Sequence, residues 1–253
     1  MSFQNATNLS IRVKPNSPDN VKAFGLPSIE EKGFEAGDFI GSIDDGGYLN
    51  CKILTIAPHG MGTHTESIRH IVADGPPVCE IVPLVPIRIR LVTLSPVQLT
   101  ETSESYSPGE STDLVLTEAR LQILVKNLDN SDVIGLMIRS TGDVDKKDAD
   151  YTGANPPFFT TEAMKYISSR FEHLLVDLPS VDRESDDGQL LNHRSFWNVE
   201  AGQTHLRSDC KSQRSITEMI DVPALIKDGD YWCLIAVPNI ETDALPSRVL
   251  IWK

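Results

Sequence analysis

Residues 132–139 (DVIGLMIR), 161–170 (TEAMKYISSR) and 173–178 (HLLVDL) decide the fold class. The first and third are short apolar runs rich in β-formers, and each predicts a buried strand. The second opens on Thr160 or Thr161 as N-cap and spaces its apolar residues as a helix does. Upstream, residues 87–94 (IRIRLVTL) alternate apolar with basic and predict a strand, and Thr117 caps an expected helix running through Leu128. Residues 48–56 (YLNCKILTI) alternate likewise, until Pro58, Gly60 and Gly62 break the pattern. Residues 231–237 and 248–252 predict closing strands, while 101–113 and 182–189 read as acidic loops, the first on the surface. Two strand–helix–strand alternations beside mostly β text give the expectation of one α/β domain, residues 1–253, with a mixed sheet.

Composition narrows the function. The 253 residues are 40% hydrophobic and 23% charged, an ordinary globular balance. Acids outnumber bases 36 to 23, leaving a net charge of −13. That excess speaks against a nucleic-acid partner, which needs a basic surface, and against adhesion to anionic membrane. The polar N-terminal stretch lacks the apolar core of a signal peptide, so the expected compartment is the cytoplasm. The four cysteines, Cys51, Cys79, Cys210 and Cys233, are widely spread and read as reduced thiols, with Cys51 and Cys233 expected in the core.

Chemistry concentrates in one place. Of 6 histidines, His59, His64 and His70 fall within PHGMGTHTESIRHI, residues 58–71, directly after strand text. A chance cluster in a solvated loop is the bland reading. Imidazoles with the carboxylate of Glu66 also make a ligand set for a metal. If 64–66 is extended, His64 and Glu66 share a face, and if a helical turn follows, Glu66 and His70 are neighbours. Two glycines before His64 let the backbone turn and redirect His59.

This stretch resembles the HxGTHxDxPxH motif of the cyclase family, to which bacterial kynurenine formamidase belongs. Asp177 with Leu178-Pro179-Ser180-Val181-Asp182 is similar to the family's DTPSxD strand end, Asn192-His193-Arg194 to its second-histidine motif, and Ile216-Thr217-Glu218-Met219 to its late glutamate segment. Together these cover roughly residues 45–253. The resemblance implies a swivelling β/β/α fold, a divalent cation (Zn or Mn) and association as dimers or tetramers. It implies His64, Glu66, His193 and Glu218 as metal ligands and His70 as the catalytic acid/base. His59 stands for the first histidine, a further metal ligand, although it precedes His64 by five residues where the family has four. Glu66 replaces an aspartate and Ile68 a proline.

The activity so implied is metal-assisted hydrolysis of a small amide, lactam or N-formyl substrate, as by an arylformamidase of tryptophan catabolism. A different cyclic substrate such as isatin, or binding without turnover, is the alternative. Phe196 and Trp197 are the candidates for an apolar wall against an aromatic substrate, and aromatics equally fill cores. Asp177 and Asp182 read as structural groups or as carboxylates orienting a metal-bound imidazole. His173 reads as structural and His205 as solvated.

Overall fold

A computed structural model describes residues 5–125, 132–141 and 146–253. Its framework is one nine-stranded sheet built from β1 (Thr7–Asn8), β2 (His64–Glu66), β3 (Ile87–Leu94), β4 (Val133–Ser140), β5 (His173–Val176), β6 (Ser215–Glu218), β7 (Gly229–Ala236), β8 (Ala244–Pro246) and β9 (Arg248–Trp252), in the order β1-β9-β7-β3-β4-β5-β6-β2-β8. Strands β3, β4, β5 and β6 run parallel, while β7 and β2 join them antiparallel on either side. The expected single α/β domain with a mixed sheet is therefore what forms.

Buried parallel strands need cover on both faces. On one face lie α2 (Glu118–Val125), α3 (Thr161–Ser168) and α4 (Leu191–Trp197), α1 being the short turn Val78–Ile81. The Thr160 hydroxyl accepts from the Ala163 amide and starts α3, which buries Ala163, Met164 and Ile167 against Leu174, Val176 and Phe196. Cys233, Leu175, Met137 and Ile251 belong to the core of the opposite face. Along β3, Ile87, Ile89 and Leu91 are buried, while Arg90 pairs with Asp230 and the Arg88 guanidinium stacks on Trp232.

Several expectations shift. Only Lys52–Thr55 of residues 48–56 forms a strand, and it pairs with Glu30–Gly33 in a two-stranded ribbon outside the main sheet. With no layer to pack on, that ribbon leaves Ile53 and Leu54 exposed, and Cys51 is exposed rather than in the core. The helix after Thr117 begins at Glu118, and residues 126–128 of its expected span lie outside the described residues. The expected surface loop at 101–113 buries Tyr106 and Asp113, and the acidic loop at 182–189 buries Asp182 and Asp186. Both loops turn these side chains inward because they find partners there: Asp113 accepts from the Asn155 side-chain amide at 2.7 Å and pairs with Arg183 at 2.9 Å, and the other three meet in the site described below. Among the described residues, no helix is long and apolar enough to cross a membrane.

Candidate metal centre

Register brings the first residues together. In the antiparallel ladder of β2 with β6, His64 stands opposite Glu218 and Glu66 opposite Ile216. Because side chains alternate, His64, Glu66, Glu218 and Ile216 share one face, and Thr65 and Thr217 pair on the other, their hydroxyls 2.8 Å apart. Ile216 packs in the core beneath α2, α3 and α4, so the ligand-type side chains face the helical layer. Just past Glu218, Met219 adopts a left-handed backbone (φ 54°), held by its amide donating to the Leu178 carbonyl. That strain ends β6 and turns the chain away immediately beyond the carboxylate.

The helix α4 supplies His193. It is the helical layer's contribution, where sequence alone would place a surface histidine in a loop. Its Nε2 lies 2.8 Å from Glu66 Oε1 and 3.8 Å from Glu218 Oε1. Asp182 clamps the ring from behind: its carboxylate takes Nδ1–H at 2.5 Å and also accepts the amides of Asn192 and His193 at the start of α4. Tyr106 donates its hydroxyl to Asp182 at 2.8 Å and lies 3.0 Å from Asp186. This cluster is why the two acidic loops are partly buried. A carboxylate behind a histidine fixes both its ring and its tautomer.

His64 is fixed differently. Its Nδ1 donates to the Gly62 carbonyl at 3.0 Å, which turns Nε2 toward Glu218 Oε2, 3.4 Å away. Gly62 has φ 89°, a conformation open to glycine and strained for other residues. Glu218 is itself oriented by the Val181 amide at 3.0 Å.

Electrostatics follow from this crowding. Burial opposes charge on Glu66, but His193, His70 and His59 outweigh it and hold the carboxyl well below the usual range. Burial likewise opposes charge on His64 and His193. Glu218 and Glu66 nevertheless raise His64, and Glu66 with Asp182 raise His193 well above an ordinary imidazole. The pocket therefore attracts positive charge.

A divalent cation fits these residues. His64 Nε2 and Glu66 Oε2 are buried without a hydrogen-bond partner, a costly arrangement unless something else takes their lone pairs. Ligating atoms of His59, His64 and Glu66 lie within 4.8 Å of one another, as do those of Glu66, His70 and His193. Imidazole with carboxylate suits zinc or manganese.

Burial divides the site. His64, Glu66, His193 and Glu218 are enclosed, whereas the side chains of His59 and His70 are 21% and 25% exposed at its mouth. His70 sits at the end of a 3-10 turn, Ile68–His70, with Nδ1 4.0 Å from Glu66 Oε2. Beside both mouth histidines lies Asp243, which no motif marks; its Oδ2 is 2.9 Å from His59 Nε2 and 3.6 Å from His70 Nδ1. The hydrogen bond from His59, the neighbouring His70 and then burial, which opposes them, leave Asp243 well below the usual carboxylate range. Its only sequence signal is an acid at the edge of the late strand text.

Phe196 and Trp197 do not offer the expected wall. Both are fully buried, Phe196 edge-on to Trp197 and Trp197 donating its indole N–H to the Arg214 carbonyl. On a helix against a sheet these positions face the core, and Trp197 meets the site through the His193 ring, 5.7 Å away. Asp177 lies apart, accepting the Ser140 amide and pairing with Lys146. His173 is buried, its Nδ1 2.8 Å from the Ser215 hydroxyl, and His205 lies in an exposed stretch.

Known proteins share this architecture. A potential metal-dependent hydrolase with cyclase activity superposes with a TM-score of 0.63 at 15% identity, covering 98% of this chain and 96% of its own. A predicted metal-dependent hydrolase from Bacillus stearothermophilus gives 0.57 at 16% identity, over 98% and 97%. Isatin hydrolase A from Labrenzia aggregata, bound to benzyl benzoate, gives 0.62 at 16%, over 98% and 93%. No curated protein matches the sequence. The model of the Cyclase family matches residues 7–183, which contain His59, His64, Glu66, His70 and the Asp182 support of His193, and the chain belongs to that family.

Proposed function

We propose that this protein is a metal-dependent hydrolase that opens a small amide, lactam or N-formyl substrate. The observation that carries the reading is the convergence of two unpartnered buried atoms, His64 Nε2 and Glu66 Oε2, in a pocket walled by imidazoles and carboxylates. His64, Glu66, His193 and Glu218 would hold the cation, Zn or Mn. When bound, such an ion supplies a Lewis acid for the carbonyl and lowers the pKa of water toward neutrality.

The remaining work falls to the chain. Asp182 keeps His193 in one orientation. His70 stands at the mouth with Nδ1 turned to the carboxylates of Glu66 and Asp243. Its Nε2 is then the atom that exchanges a proton with the attacking water and the leaving nitrogen. The fold shared with isatin hydrolase makes a cyclic amide one of the first substrates to test, beside N-formyl aryl amides.

His70→Ala tests the assignment. It should retain the cation and lose about 10²–10⁴-fold in turnover on a panel of N-formyl amides and lactams. A fully active variant would remove His70 from the mechanism. A wild-type protein that binds metal and turns over nothing in the panel would favour a binding protein. We also propose a homodimer or homotetramer, supported by Phe34, Ile43, Tyr48 and Leu54 exposed in the segment that carries the small ribbons. Light scattering of the full chain tests it.

A further inference from the structure

The family spacing leaves His59 one residue out of place, yet the structure draws its ring into the site. We propose that Asp243 is a positioning residue that fixes His59 in the tautomer whose Nδ1 faces the cation pocket. The inference rests on the reading of that pocket as a cation site.

An ionised carboxylate only accepts hydrogen bonds, so His59 Nε2, 2.9 Å from Asp243 Oδ2, must be the donor. In the neutral ring Nδ1 then carries a lone pair. That lone pair faces Glu66 Oε2 at 3.3 Å, an oxygen that is buried and has no hydrogen-bond partner. Two acceptors meeting head-on repel. A cation between them would accept both, and 3.3 Å is a natural separation for two ligands each about 2.0–2.2 Å from one ion.

Asp243 is built to hold that place. Its backbone carbonyl accepts the Ser67 amide at 2.9 Å, and its other carboxylate oxygen accepts the Thr242 hydroxyl at 2.9 Å. The next residue, Ala244, pairs with Glu66 across β8 and β2. His59 lacks such anchoring, for its side chain is 21% exposed and otherwise meets the rings of His64 and His70. The arrangement repeats what Asp182 does for His193 on the far side of Glu66. One carboxylate thus stands between two histidines, each braced from outside by an aspartate.

The test uses the full chain, stripped of metal and titrated with Co²⁺, whose visible spectrum reports its ligands, and with Zn²⁺ against a competing chelator. Asp243→Ala should weaken binding about 10–100-fold and change the Co²⁺ spectrum, as loss of an outer partner does elsewhere. His59→Ala should do the same. Asp243→Asn keeps an acceptor for Nε2–H and should restore most of the affinity. In the His59→Ala background, Asp243→Ala should add less than twofold. Wild-type affinity and spectrum in Asp243→Ala would overturn the assignment while leaving the hydrolase reading intact. So would a tenfold loss from Asp243→Ala that persists without His59, since Asp243 would then act directly or through His70. A wild-type chain that takes up neither ion would overturn this inference and the hydrolase reading together.

Discussion

Replacing Asp182 with asparagine separates the support of His193 from the support of the fold. The wild-type carboxylate accepts the Asn192 amide at 2.7 Å, the His193 amide at 3.2 Å, the His193 Nδ1–H at 2.5 Å and the Tyr106 hydroxyl at 2.8 Å. Without a cation, Glu66 and Asp182 overcome burial and keep both His193 nitrogens protonated. With a cation bound, His193 would offer it the Nε2 lone pair, and Asp182 would hold the proton on Nδ1. In Asp182→Asn the remaining oxygen stays with the Asn192 amide and the Tyr106 hydroxyl, so the NH₂ faces the His193 amide and Nδ1–H, and donors cannot pair. The ring therefore gives up its Nδ1 proton and keeps the one on Nε2, which Glu66 Oε1 accepts at 2.8 Å. The NH₂ donates to Nδ1 in place of the lost Nδ1–H bond, but the buried His193 amide loses its acceptor, so the cost to stability is about 1–2 kcal/mol. For a chain of this size that lowers Tm by roughly 2–8 °C. The cation meets a different ring, because its ligating nitrogen is capped, and affinity falls about 10–100-fold, or roughly 1.4–2.7 kcal/mol. Chelator competition reads the affinity and urea unfolding of the metal-free protein reads the stability. The reasoning fails if the variant binds Zn²⁺ within about twofold of wild type. It fails equally if its stability drops as far as that of Asp182→Ala, which strips the buried α4 amides of their acceptor and should cost about 3 kcal/mol or more.

Two further predictions concern the fold. Burial, with the Arg214 charge nearby, pushes His173 down to about 4. An unfolded histidine titrates near ~6.5, so between these values the unfolded chain binds the extra proton, and stability is full above ~6.5 and falls by up to about 3 kcal/mol as pH drops through 4. His173→Asn removes this contribution, so the stability gap between wild type and variant should change across that window; a gap independent of pH in urea titrations refutes it. Phe196→Ala should cost about 3–5 kcal/mol by urea unfolding, because the ring is fully enclosed in the core beneath α4. A loss under about 1 kcal/mol would show that the ring is not packed.

What the sequence by itself determined follows from short-range periodicity. Two-residue alternation places His64 and Glu66 on one face, and the turn after them brings His70 to within 4.0 Å of Glu66. Strands β3, β4, β5, β7 and β9 are legible to within a few residues, for their apolar runs are buried in the sheet. The family motifs likewise single out Glu66, His193 and Glu218 before any contact is known. Tertiary structure alone decided the rest. Glu218 meets His64 because β6 and β2 pair antiparallel across some 150 residues of chain, and register is a property of the assembled sheet. Asp243 reaches His59 from the other end of the sequence, and Tyr106 reaches Asp182 from a loop whose composition reads as solvated. Phe196 and Trp197 show the converse: three and four residues after His193, they share its helix face, and because that face packs down on the sheet they are enclosed in the core instead of lining an open wall. Spacing can say which residues share a face. Which faces meet depends on long-range packing, where burial of apolar surface outweighs any local preference.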